Sequence, residues 1–165
     1  MNEKTQIKLY MIFIILIAMV MLYAAVAVLP DLVDFSVETY REIAYLARPV
    51  NIIVLISSIP FFIVLVQTLL LCKDILSDDI YTKKPLNSLN VISIASLFIF
   101  ILYIILLLLF IINNYFTPLL GVILFLVILS SFIITIFSKI MYILVKKATI
   151  LKEDNDLTIW GEIWF

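Results

Sequence analysis

The chain has 165 residues, of which 65% are hydrophobic and 14% charged, with a formal net charge of −1. Soluble domains have roughly 45–50% apolar and about 25% charged residues, so this composition excludes an ordinary soluble domain and indicates an integral membrane protein. The small net charge provides no field for nucleic acid. The lack of histidine and the single cysteine exclude His/Cys metal sites and an internal disulfide.

Four apolar runs predict four transmembrane helices in a single domain over residues 1–165. The runs cover about residues 9–29, 50–72, 91–112 and 119–138. At 1.5 Å per residue, each run reaches across the hydrocarbon core of about 30 Å. Their continuous hydrophobicity favours helices over barrel strands. The predicted fold class is all-α, an integral membrane four-helix bundle, and its first partner is the lipid bilayer.

The positions of lysine and arginine predict how the spans are oriented. Nine basic residues fall on one side of the membrane and two on the other. The first group is Lys4, Lys8, Lys73, Lys83, Lys84, Lys139, Lys146, Lys147 and Lys152, and the second is Arg41 and Arg48. By the positive-inside rule, both termini are predicted to be cytoplasmic in a bacterial cell membrane.

The outer loop between the first two spans is predicted to contain a short amphipathic helix. Pro30 closes the first run, and apolar residues recur at helical spacing from Val33 to Ala47. Acidic side chains fall largely on another face, as in helices that lie at a membrane interface. This helix is either a connector with a solvated face or a surface that senses a ligand.

Polar residues inside the spans are few. Pro60 predicts a bend in the second span. Gln67 is the candidate intramembrane polar contact, bridging to another helix or binding a ligand. The spans contain no charged residue and no histidine, which argues against a proton-coupled transporter. No catalytic residue, metal site or cofactor is predicted, and we expect that the protein is not an enzyme.

Two segments on the predicted cytoplasmic side carry motifs. The inner-loop motif is Pro85-Leu86-Asn87-Ser88-Leu89-Asn90, and Asn87 is predicted to cap the third helix. The tail motif, residues 151–159, reads Leu-Lys-Glu-Asp-Asn-Asp-Leu-Thr-Ile. The fourth helix is expected to project into the cytosol as far as Lys152 and to end at residues 154–156, which are poor helix formers. The cytoplasmic tail is residues 146–165, and its last six residues are expected at the membrane interface.

These motifs, with four spans in a chain of this length, resemble the YoaS-like family of small bacterial membrane proteins, a domain of unknown function. Members are often encoded beside a Cro/C1-type helix-turn-helix regulator. The resemblance therefore implies a cytoplasmic protein partner of that kind, and no direct nucleic-acid binding by this chain. The candidate partner-binding residues are Pro85, Asn87, Asn90, Lys152, Glu153, Asp154, Asn155, Asp156, Leu157, Thr158 and Ile159.

Three functions stay open at this point. The first, which we favour, is a regulatory or sensory membrane protein, because both motifs lie on one side and the spans alone do not require them. The second is an immunity-type protein that protects against a membrane-active peptide. The third is a passive channel, built as a homo-oligomer, or an accessory transporter subunit. The motif residues could instead serve only to cap helices and close the bundle.

Overall fold

The structure is a computed structural model. It describes residues 3–39, 44–77 and 82–163, with side chains as far as residue 154 apart from five in the first two helices. In chain order, α1 is Glu3–Tyr23, α2 is Leu29–Thr39, α3 is Ala44–Leu76, α4 is Lys83–Ile112 and α5 is Pro118–Ile163. A π-helix, Ala24–Val28, joins α1 to α2. The predicted all-α class is confirmed.

Four stretches are long and apolar enough to cross a membrane, in agreement with the four predicted spans. They are Lys4–Asp31, Ala44–Leu76, Lys83–Ile112 and Pro118–Asp154. Large apolar side chains on their outer faces are exposed, for example Ile12 at 63% and Phe125 at 61%. Such an extensive apolar surface suits lipid and not water. The chain is thus a multi-pass membrane protein.

The first helix does not stop at Pro30, where the first apolar run was predicted to close. It passes through the π-helix, in which the Leu29 N–H donates to the Ala24 carbonyl, and continues as α2. Pro30 has no N–H to donate, and its ring needs room beside the preceding turn. The wider π-helical turn provides that room. Because α2 follows without a break, a separate loop helix is not shown, and residues 40–43 of that loop lie outside the described residues.

The second span lies within α3, which is helical through both Pro49 and Pro60. Pro60 is buried, and just before it Ser57 and Ser58 both donate to the Val54 carbonyl, at 2.7 and 3.0 Å. Pro60 has no N–H, so one backbone hydrogen bond is missing from the helix at this point. The two serine hydroxyls add hydrogen bonds in the turn just before it. The bend at Pro60 stays a prediction.

The third span begins earlier than expected, which corrects the role of Asn87. Thr82 occupies the N-cap position and α4 starts at Lys83, so Asn87 is the fifth residue of the helix and does not cap it. Pro85 fits in the first turn because the N–H that it lacks would have no partner within the helix. The inner-loop motif is therefore helical throughout.

The fourth helix continues seven residues beyond its predicted end. α5 continues to Ile163, so the predicted end at residues 154–156 is wrong. Each Asp or Asn there costs at most about 0.7 kcal/mol relative to alanine, and no proline or glycine lies between Gly121 and Gly161. Its 46 residues have a length of about 69 Å. That is more than twice the thickness of the hydrocarbon core.

The helices pack in sequence order around α4. α4 packs along both α3 and α5, while α1 and α2 contact α3. Leu106, Phe110 and Leu124 form the buried core cluster near the turn between α4 and α5. No residue in the most apolar window of Lys4–Asp31 is buried within the part of the chain that the structure describes. The first span is thus the least embedded of the four.

Candidate functional site

A polar seam joins α4 to α5 along the centre of the bundle. The Thr135 Oγ1 donates towards both the Ser96 Oγ, at 3.0 Å, and the Ser131 carbonyl, at 2.8 Å. The Ser93 Oγ makes a longer contact, 3.5 Å, with the Thr135 carbonyl. Ser93 and Ser96 are both almost completely buried. Small hydroxyl residues let two helices approach closely in lipid and hydrogen-bond across the interface, so this seam fixes the register of the two helices.

At one end of the seam, a charged side chain of α5 contacts a side chain of α4. The Lys139 Nζ donates to the Asn90 Oδ1 at 2.8 Å, and the same ammonium group lies 5.8 Å from the centroid of the Tyr142 ring. Asn90 is a predicted partner-binding residue, and in this structure it contacts the neighbouring helix. A hydrogen bond from a charged donor is stronger than one between neutral groups. Asn90 therefore has a packing role within the chain.

The Asn90–Lys139 contact also locates the end of α5 relative to α4. α4 begins seven residues before Asn90, whereas α5 continues twenty-four residues beyond Lys139. In antiparallel helices with a rise of 1.5 Å, α5 extends about 25 Å past the first turn of α4. We call residues 146–163 the α5 extension. It holds all of the tail motif.

The predicted partner-binding residues fall into two groups that the described contacts do not bring together. In α4, Pro85 is fully buried, Asn87 is exposed and Asn90 is half-buried. In the α5 extension, Lys152, Glu153 and Asp154 are exposed. The side chains of Asn155, Asp156, Leu157, Thr158 and Ile159 lie outside the described residues. Lys152 lies thirteen residues past Lys139 on α5, about 20 Å along its axis.

A cavity of about 520 Å³ lies where the π-helix, α3, α4 and α5 meet. Every one of its lining residues belongs to one of the four apolar runs. The π-helix contributes Ala24, Ala25 and Val28, and the other helices contribute aromatic and aliphatic side chains such as Phe61, Phe62 and Tyr103. π-Helical turns in other proteins often occur at functional sites. This volume lies within the range of small-molecule sites.

Five serines and Tyr103 contribute hydroxyl groups to the cavity wall. Ser57 and Ser58 face it from α3, Ser96 from α4, and Ser130 and Ser131 from α5. No lining residue is charged. Sequence reasoning did not single out any of these serines as candidate site residues. It missed the cavity, although pairs of small residues at 24–25, 57–58 and 130–131 were a signal that three helices have room between them.

Gln67 lies away from both the seam and the cavity. It is half-buried in a shallow groove whose other lining residues, Ile59, Phe62, Ile63 and Val66, also belong to α3. Within the described part of the chain, its amide makes no hydrogen bond to another helix. The predicted intramembrane contact is therefore not seen here and stays a prediction. Likewise, the described residues contain no group of His, Cys, Asp and Glu that could hold a metal ion.

Comparison with known proteins identifies the family. The family described as "Protein of unknown function (DUF2975)" matches residues 31–159, which is well over half of the chain. The chain belongs to the DUF2975 family. It is also 27% identical over 161 residues to the "Uncharacterized membrane protein YoaS" of Bacillus subtilis (strain 168), covering 96% of this chain and 100% of the relative. No solved structure matches the chain.

The DUF2975 match includes most of the features described above. It contains α3, α4, the seam and the tail motif, and it stops at Ile159, the last residue of that motif. The π-helix lies before the matched range. Three of the four walls of the cavity therefore belong to the region shared with the DUF2975 family, and the fourth belongs to the first span.

Proposed function

We propose that this DUF2975 protein is a regulatory or sensory protein of the bacterial cell membrane that presents the α5 extension to a cytoplasmic protein. The observation that carries the proposal is the length of α5. A helix that needed only to cross the membrane and close the bundle would end near the level of Lys83, the first residue of α4. α5 continues about 25 Å beyond it, and the DUF2975 match covers most of that length.

The proposed orientation follows from the basic residues. Nine lysines belong to the segments at the end of the bundle that carries the α5 extension, and both arginines fall between the first and second apolar runs of the sequence. The positive-inside rule places the lysine-rich end in the cytoplasm, with both chain termini. α2 is then an outward-facing amphipathic segment, with Asp34 and Glu38 exposed at the membrane interface.

The proposed partner is a Cro/C1-type helix-turn-helix regulator, as the family resemblance implies. A helix that continues past the first turn of its neighbour suits recognition in a groove of another protein. Exposed Lys152, Glu153 and Asp154 supply charges at its base, and Leu157 and Ile159 supply apolar residues within the tail motif. Because the chain itself has a net charge of −1, we propose that any contact with DNA is made by the partner.

Site-specific photo-crosslinking in living cells tests the proposal. A photoreactive residue at Glu153 is compared with one at Phe116, an exposed residue in the turn at the opposite end. Cells co-express a Cro/C1-type regulator encoded in the same genome. We expect a crosslink to the regulator from residue 153 and none from residue 116. Crosslinks to the regulator from both sites or from neither would contradict the proposal.

A variant pair distinguishes a specific contact from chance proximity. Replacing Glu153 and Asp154 by lysine reverses the charge at the base of the extension, and replacing Lys83 and Lys84 by glutamate reverses the charge at the start of α4. We expect the first pair, tested with the photoreactive residue at Leu151, to reduce the crosslink at least several-fold, because charge complementarity selects partners. An equal reduction by both pairs would indicate general electrostatic attraction.

A further inference from the structure

The cavity between the π-helix, α3, α4 and α5 has properties that define a ligand class. Its walls are apolar apart from serine hydroxyls and the phenol of Tyr103, and none of its lining residues is charged. A charged ligand would lose its hydration there without gaining an opposite charge, which is costly. An apolar chain, by contrast, would make van der Waals contacts with the walls of the cavity. The occupant is therefore uncharged and mainly apolar.

The hydrogen bonds of the serines define which polar group the ligand carries. Ser57 and Ser58 both donate to the Val54 carbonyl, and Ser131 donates to the Val127 carbonyl at 2.8 Å. A serine hydroxyl has one proton and two lone pairs. With their protons used within their own helices, these serines offer only acceptor oxygens to the cavity. They match a ligand that donates a hydrogen bond.

The packing of the helices provides a route into the cavity. α1 packs on α3 and α5 packs on α4, but no extensive interface joins α1 to α5 among the described residues. At that side the cavity lining includes Met21 and Leu126, whose side chains are 42% and 55% exposed. These residues lie within the apolar runs, so the opening faces the bilayer interior. A lipid-soluble molecule can enter without crossing the aqueous phase.

We propose that this cavity binds an uncharged, single-chain amphipathic molecule whose hydroxyl donates to the oxygens of Ser57, Ser58 or Ser131. The proposal does not depend on the α5 extension or on any regulatory partner. A free long-chain alcohol and a membrane lipid with one acyl chain and a hydroxyl head have this chemistry in common. Ligand binding can be measured on the purified full-length protein in vesicles.

The test is photo-labelling with a diazirine derivative of 1-dodecanol, followed by mass spectrometry of the peptides. Competitors are 1-dodecanol, its methyl ether and dodecane, which differ in whether they donate a hydrogen bond. We expect labels on the peptides that carry the π-helix and residues 126–134. We expect the alcohol to compete at a concentration about tenfold lower than the ether, since an oxygen that loses its donor is left unpaired. Equal competition by alcohol and ether would overturn the proposal.

Two neighbouring substitutions in the π-helix serve as a matched pair. Ala25 lines the cavity, whereas Val26 is 70% exposed and does not. Ala25→Phe fills the cavity and should abolish the labelling, while Val26→Phe adds a similar bulk and should leave it unchanged. Labelling that persists in A25F would overturn the proposal.

A more conservative variant keeps the proposal testable if A25F does not fold. The triple variant Ser57→Ala/Ser58→Ala/Ser131→Ala keeps the cavity and removes all three acceptor oxygens. It should keep the labelling and lose most of the preference for the alcohol over the ether. An unchanged preference would overturn the assignment of these serines. Competition by monoolein incorporated in the vesicles is then compared with competition by 1-dodecanol added from solution. The comparison shows whether the cavity prefers a membrane lipid or a free alcohol.

Discussion

The Oγ1 of Thr135 lies 3.0 Å from the Oγ of Ser96, and this contact joins the α4–α5 seam to the wall of the cavity. Ser96 lines the cavity and donates to the Ile92 carbonyl of its own helix at 2.7 Å. Thr135 thus holds one wall of the cavity in place from the neighbouring helix. The packing of the two helices and the shape of the cavity therefore depend on the same pair of hydroxyls.

Replacing Thr135 by valine should weaken the association of α4 with α5. The variant keeps the shape of the side chain but loses its bond to Ser96, and such bonds between membrane helices contribute about 0.6 kcal/mol, with a maximum near 1.7. Thr68→Val is the matched control, because the Thr68 hydroxyl bonds only to the Val64 carbonyl of its own helix. We expect a lower midpoint of thermal unfolding in detergent for T135V than for T68V. Equal midpoints would count against the seam.

The contact between Lys139 and Asn90 should show energetic coupling. In a double-mutant cycle with Lys139→Met and Asn90→Leu, we expect a coupling free energy of unfolding of about 0.5–1.5 kcal/mol. This is the value of a neutral hydrogen bond, because solvent weakens the charged contact at an exposed position. Lys147→Met is the control, since Lys147 lies on α5 eight residues further on. Its effect should add to that of N90L. Coupling for the control pair as large as for the contact pair would refute the register.

The α5 extension should be straight through the tail motif. Spin labels at Ile140, an exposed residue, and at Glu162 are twenty-two residues apart on α5, so their Cα atoms should lie about 33 Å apart. Pulsed electron–electron double resonance spectroscopy in vesicles measures the distance between the two labels. A broad distribution centred at a much shorter distance would show that the helix ends near residue 154, as the composition of that segment had suggested.

The orientation in the membrane can be tested with single cysteines. In a Cys72→Ser background, a cysteine at Glu38 should react with a membrane-impermeant thiol reagent in intact cells. A cysteine at Asp154 should react only after the cells are permeabilised. Both expectations follow from the lysine-rich end lying inside the cell. The reverse pattern of reactivity would place both termini outside.

The sequence predicted the number and type of elements well because hydropathy reports directly on the lipid-facing surface of a helix. It predicted the ends poorly for the same reason, since α4 and α5 continue as helices beyond the lipid. Pro30 was interpreted as a stop, but a π-helical turn accommodates it. The cavity could not be predicted, because it depends on which faces of separate helices meet, and a continuous apolar run carries little information about that.

Two truncations test the central claim, regulation through the α5 extension, most directly. One chain stops after Ile159 and keeps the whole tail motif, and the other stops after Leu151 and loses nearly all of it. Both should insert at normal abundance, because the four spans are intact. Transcript levels in cells with each chain are then compared with those of the full-length protein. We predict unchanged transcripts for the longer chain, and altered expression of a small set of genes for the shorter one. Unchanged transcripts for the shorter chain, inserted at normal abundance, would contradict the account.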